Sequence, residues 1–169
     1  MNVVEEKNSE DESLLTSDII QKAVVTNLYP HDWQFNCVSD LGDIISGGTP
    51  SRYNVSYWNG TIPWITPGEL SVLSTKFVQD TNEKITDSGL AGSAARLLPE
   101  NSVIVTTRAT LGEAAITKIA LATNQGFKNI VLNDTSDPLF TYYLMGTLRK
   151  EMTRLASGTT FLEIGSLGT

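Results

Sequence analysis

One cysteine and one histidine stand in a chain of 169 residues. Cys37 has no partner for an internal disulfide, and together with His31 it offers too few nitrogen and sulfur ligands for a zinc site. A thiol–imidazole pair is the chemical alternative. Six residues apart, the two read more simply as an ordinary small apolar cysteine and a surface histidine. Apolar runs are broken every few residues, far short of the roughly 18 that a membrane-spanning helix requires. Met1 to Glu12 is polar and acidic where a secretory leader would be basic and then apolar. No membrane partner is expected, and the location is expected to be cytoplasmic.

Enzymatic signatures are missing too. Neither a dinucleotide-binding G-x-G-x-x-G nor a phosphate loop G-x-x-x-x-G-K-[ST] occurs, and the pair Gly47-Gly48 lacks the lysine and helix that would cradle a nucleotide. A tight turn is the plain reading of that pair. There is no G-x-S-x-G elbow for a serine nucleophile. Asp40, Asp43 and Glu69 are scattered carboxylates without a histidine or second convergent acid to make a general acid–base site.

Positive charge is scarce: 12 lysines and arginines face 19 acids, for a net charge of -7. The excess is uneven. Met1 to His31 holds six acids and two bases, while the other 138 residues hold 13 acids and 10 bases. The body is therefore only mildly acidic. Such a body can read base edges in a groove, but it should bind DNA poorly alone, because phosphate neutralisation supplies most non-specific affinity.

What is present is an ordinary globular composition, 40% hydrophobic and 18% charged with 13 glycines and 6 prolines, at the size of one domain. Residues 1–16 read as a flexible acidic terminus. Residues 17–30 read as a helix capped by Ser17 or Asp18, with Ile19, Ile20, Ala23, Val24 and Leu28 on one face and Pro30 as its stop. Residues 31–164 form the main domain, and 165–169 a short tail.

From Trp33 to Leu132 the texture is β-rich, with LGDII, GGTPS, YWNG, IPWIT and PGEL split by turn residues. A hairpin is expected where Val103–Thr107 leads through a turn at Gly112 into a run ending at Ile116, which puts Arg108 and Thr110 near its tip. GFKNIVL is a further strand. A helix is predicted after Asp137 as cap and Pro138 as first residue, with Phe140, Leu144, Leu148, Met152 and Leu155 at near-helical spacing. The fold class is α+β: a β-rich domain with irregular loops and a C-terminal helix, its N-terminal helix packed or protruding.

The loops concentrate hydroxyls, amides and isolated arginines beside aromatics. Arginine can pair bidentately with guanine, asparagine or glutamine with adenine, and serine or threonine with phosphate or base. The competing reading is that these side chains cap their own turns. Trp58 and Trp64 can likewise stack on a flipped base or pack in the core, and core packing is the better reading.

Six blocks in fixed order carry a resemblance: GGTPS (Gly47–Ser51), YWNG (Tyr57–Gly60), IPWITPGEL (Ile62–Leu70), SAARLLPENSVIVTTRATLGEAAI (Ser93–Ile116), TNQGFKN (Thr123–Asn129) and ASGTTFLEI (Ala156–Ile164). Together they resemble a target recognition domain of the specificity subunit of type I restriction–modification systems. The likeness spans most of Trp33 to Ile164.

The resemblance implies a non-catalytic reader of one half of a split double-stranded DNA site. A DNA methyltransferase subunit would bind S-adenosylmethionine and methylate adenine, and a restriction/translocase subunit would join for cleavage. No cofactor is expected on this chain itself. Methyltransferase partners that clamp the duplex would supply phosphate contacts that an acidic reader lacks. A whole specificity subunit would continue into a long spacer helix and a second recognition domain, whereas this sequence stops at Thr169. GGTP and IPWIT are expected to act mainly as scaffold. The residues expected near DNA are Thr49, Ser51, Arg52 and Tyr53 in the first loop, Arg108 and Thr110 at the hairpin tip, and Asn124, Gln125 and Lys128 before the next strand. For Arg108 a structural ion pair stands as an equal alternative. A protein–protein docking module that never touches DNA is the rival reading, favoured by the acidity.

Overall fold

The computed structural model describes residues 37–108 and 110–155. The expected terminus at 1–16, helix at 17–30 and tail at 165–169 lie outside them, as do His31 and the ASGTTFLEI block. Cys37 is exposed, and its backbone N–H donates to Asp40 Oδ2 at 2.7 Å at the head of a 3-10 turn, Val38–Leu41. Asp40 is thus a capping residue.

Eight strands form two sheets. They are β1 (Gly42–Ser46), β2 (Trp58–Ile65), β3 (Phe77–Val78), β4 (Glu83–Ile85), β5 (Val103–Thr106), β6 (Ala114–Thr117), β7 (Ala122–Thr123) and β8 (Phe127–Leu132). The larger sheet runs β1-β8-β5-β6-β3 and the smaller β4-β2-β7. In the larger sheet only the β6–β3 pair is parallel; in the smaller, β2–β7 is. Short helices α1 (Pro67–Leu70) and α2 (Asp87–Ala91) follow β2 and β4, and α3 (Pro138–Leu155) closes the described chain.

The expected hairpin is β5–β6, with Val103 opposite Ile116 and Val105 opposite Ala114. Its apolar run VIV lacks polar alternation because β5 is central and buried on both faces. Val103 and Val105 pack with Ile116, Ile130 and Met145 beneath α3. Ile104 points the other way, into a cluster with Ile65, Leu70, Leu98, Leu121 and Phe127. A third cluster, Trp64, Ile85, Ala95 and Ala122, covers the smaller sheet. Each fully buried Ile or Leu contributes about 1.5–3 kcal/mol relative to exposure.

Asp137 caps α3 as expected, its Oδ1 accepting from the Phe140 N–H at 2.7 Å, and Pro138 opens the helix. The buried stripe differs from the expected one. Phe140 is 59% exposed, while Thr141 and Met145 are buried and Leu144, Leu148 and Met152 flank them. Phe140 sits in the first turn of α3 and is not among the residues packed in the cluster beneath it. The YWNG and IPWIT blocks, expected as separate strand-like pieces, form one strand. Trp58-Asn59-Gly60 begins β2, kinked by a bulge between Trp58 and Ile62, with Asn59 at φ 60°.

Candidate nucleic-acid interface

The pairing pattern brings four loops to one edge of the molecule. β8 is antiparallel to both β1 and β5, so its start lies beside their ends: Ser46 opposes Lys128 and Thr106 opposes Phe127. The parallel β2–β7 pair sets Ile65 beside Thr123, and the loop after β7 therefore meets the loop after β2. The loops following β1, β2, β5 and β7 all emerge here.

The first of them is fastened by backbone. Gly48 N–H donates to Thr123 O at 2.9 Å. A Cβ on Gly47 would fall 1.8 Å from Asn124 O, and one on Gly48 would fall 2.3 Å from the Ala94 carbonyl carbon. The GG pair is required by that close approach, in keeping with a scaffold role. The IPWIT block completes it: Trp64, 1% exposed, donates its indole N–H to Gly48 O at 3.0 Å. Trp64 is a core residue. Trp58 is half-buried, donates to Ser51 O at 3.1 Å and packs edge-on against Trp64.

Above this stem, Thr49 Oγ1 donates to Gln125 Oε1, joining two of the expected DNA-proximal residues 76 positions apart. Asn124 Oδ1 accepts from the Gly126 N–H at 2.8 Å, an Asx turn that shapes the loop before β8. Gly126 O in turn accepts the Thr107 N–H at 2.8 Å, so the hairpin loop leaves from the same place. Tyr53 is fully exposed and Arg108 half-buried. Lys128 is half-buried and donates to Ser46 Oγ at 2.7 Å across the β1–β8 ladder.

The hairpin loop is fastened differently, by hydroxyls. Thr106 Oγ1 donates to Thr110 O and accepts the Glu113 N–H, and Gly112, at φ 73°, donates its N–H to Thr106 O at 2.9 Å. Thr110 Oγ1 lies 3.2 Å from Ser71 Oγ, which donates to Glu113 Oε2 at 2.6 Å. Ser71 and Glu113 carry no sign of this role in the sequence, because nothing local connects positions about 40 apart.

Arg52 is held in place rather than left as a mobile cation. It makes a two-pronged pair with Glu83, Nη2 to Oε2 at 2.9 Å, and its guanidinium lies 3.6 Å from the Trp58 ring centroid. The hydrogen bond to Arg52 holds the Glu83 carboxyl below the usual carboxylate range. Nearby, burial pushes the Glu69 carboxyl up, assisted by repulsion from Glu83 and Asp80, although its Oε1 accepts the Asn82 N–H at 2.7 Å. This flank is acidic. Glu69 is engaged structurally, and among the described residues no three His, Cys, Asp or Glu side chains are grouped to hold a metal.

The arrangement offers exposed hydroxyl, amide and aromatic groups on stiff loop stems. It suits hydrogen-bonding recognition of a surface.

Comparison with known proteins gives a consistent picture. The type I restriction modification DNA specificity domain matches residues 30–166. The chain is 34% identical over 137 residues to the MjaIX type I restriction enzyme specificity subunit of Methanocaldococcus jannaschii, covering 80% of this chain and 32% of that protein. It is 25% identical over 131 residues to the EcoR124I/EcoR124II specificity subunit of Escherichia coli, covering 75% and 32%. The fold is similar to the crystal structure of the HsdS subunit from Thermoanaerobacter tengcongensis, with TM-score 0.55 and 15% identity over 90% of this chain and 40% of that one. The chain thus spans about a third of the length of the curated relatives it matches.

Proposed function

The chain belongs to the family of type I restriction modification DNA specificity domains, and from that premise we propose that it reads one half of a bipartite double-stranded DNA site. The observation that carries the reading is the convergence of four loops at one edge, where Thr49, Tyr53, Thr110, Asn124 and Gln125 crown stems fixed by glycine contacts, tryptophan and hydroxyl bonds. Polar side chains held this way can present donors and acceptors to base edges without a large ordering cost.

The chain itself is non-catalytic in this proposal. A methyltransferase subunit carries S-adenosylmethionine and modifies adenine, and a restriction/translocase subunit acts on the complex so directed. The setting is the cytoplasm, where the DNA is; no helix among the described residues is long and apolar enough to cross a membrane.

Exchanging this domain into an intact specificity subunit and mapping methyladenine across a genome tests the reading. One half of the methylated motif should change. Unchanged sites would refute it. Within the loops, Arg108→Ala should cost about 1–3 kcal/mol and relax one base position if the side chain pairs with a base, whereas loss of a phosphate contact weakens all sequences alike.

The docking-module alternative draws on one observation: Leu139, Phe140 and Tyr143 expose an apolar stripe on the first turns of α3. That stripe is compatible with a reader that also docks on a methyltransferase subunit.

A further inference from the structure

Charge is segregated across the described residues. Glu69, Asp80 and Glu83 gather on the flank of β4 and the first loop, balanced by Arg52 and by Lys84, whose Nζ lies 2.8 Å from Asp80 Oδ1. The flank where α3 packs on β6 is different. A groove of about 510 Å³ opens there between α3 and the segment leading from α1 to β3, lined by Ser71, Ser74, Lys76, Glu113, Tyr143 and Arg149 among others.

Lys76 Nζ donates to Tyr143 Oη at 3.1 Å. Lys76 and Lys118 lie 5.6 and 5.1 Å from the Phe77 ring centroid, so two ammonium groups share one aromatic ring. Glu113 is the one acid in the lining, and its carboxylate is occupied, by Ser71 at 2.6 Å on one oxygen and Arg149 at 3.6 Å on the other. The balance is positive. Gly146 lies on the α3 wall, where a Cβ would point into open space. Hydroxyls and cations around a groove of this size match a phosphodiester, which offers acceptors only, better than an apolar peptide. The groove also adjoins the loop cluster, because the Ser71 hydroxyl that binds Glu113 lies 3.2 Å from Thr110 Oγ1.

We propose that this groove is a sequence-independent grip on the DNA phosphate backbone, with Lys76 and Arg149 as the phosphate contacts. The proposal rests on the reading of the chain as a DNA-specificity domain, and it gives a chain of acidic balance a cationic foothold beside its reading loops.

The test is the salt dependence of binding to a random-sequence DNA duplex between about 50 and 200 mM salt, where each neutralised phosphate adds about 0.9 to the slope of log affinity against log salt. Lys76→Gln and Arg149→Gln should each lower the slope by about 0.9 and weaken all duplexes alike. Arg149→Lys should keep it, as should Lys84→Gln on the acidic flank. Thermal melts followed by circular dichroism check that each variant is folded.

Absent binding by the unaltered chain, an unchanged slope in both glutamine variants, or an equal loss in Lys84→Gln would overturn the groove. Weakened association with a methyltransferase subunit at constant slope would assign it to a protein partner and overturn it too. The two readings separate cleanly. A domain exchange that moves the methylated half-site while the slope ignores Lys76 and Arg149 sinks the groove alone. A responsive slope with an unmoved half-site sinks the reader and keeps a non-specific DNA contact.

Discussion

The loop after β1 and the loop of the β5–β6 hairpin end at the same edge but lean on different kinds of contact. In the first, backbone lies on backbone: Gly47 and Gly48 press against residues 123–124 and 94–95, and Trp64 reaches in from the core to bind Gly48 O. In the second, side chains add to a backbone turn closed at Gly112, with Thr106 bridging Thr110 and Glu113, and Ser71 reaching across from α1. A backbone joint admits one residue type and so leaves a visible motif. A hydroxyl joint admits several, so Thr106, Ser71 and Glu113 leave no motif of their own.

This contrast makes a graded set of predictions. The largest effect belongs to Gly47→Ala, which drives a methyl group into Asn124 O; it should cost about 3 kcal/mol or more and loosen both the first loop and the loop before β8. Chemical denaturation with hydrogen exchange on residues 47–52 and 124–126 measures both. A loss under about 1 kcal/mol would mean that the joint can yield.

Thr106→Val comes next, at about 2 kcal/mol, because it leaves the Glu113 N–H and Thr110 O without their bonds. Exchange should rise in 110–113 and stay unchanged in 47–52. A rise in both loops would show that the two joints are one.

The smallest effect is electrostatic. Glu83 has its carboxyl held low by Arg52, so the pair contributes stability above the ordinary carboxylate pKa and loses it as pH falls through the lowered value. Glu69 acts in the opposite sense: burial raises its carboxyl, so stability is gained as pH falls through that raised value. Glu83→Gln should cost about 1 kcal/mol or less at neutral pH, since both partners are well exposed, and should shrink the acid-side loss seen in thermal melts. Glu69→Gln should shrink the acid-side gain. Identical pH profiles for both variants would contradict the assignment.

Much of the fold is legible from local pattern. The β5–β6 hairpin, β1, β8 and the capped start of α3 all announce themselves through period, turn residues or cap chemistry. The rest depends on partners distant in sequence. β3 and β7 are two residues long and β4 three, too short to carry a period, and β3 and β7 pair in parallel with strands tens of residues away. Phe140 falls on the α3 repeat yet faces outward, because only the packed sheet decides which stripe is covered. In the candidate site, the Thr49–Gln125 bond joins two residues picked for their chemistry, whereas the Arg52–Glu83 clamp spans 31 residues with no local sign.

Hydrogen exchange of the chain bound to a methyltransferase subunit, with and without a duplex carrying its half-site, bears most directly on the loop edge as the DNA-reading surface. Protection on adding DNA should appear in residues 49–54, 107–113 and 124–126. Protection confined to the start of α3, with those three loops unchanged, would contradict it.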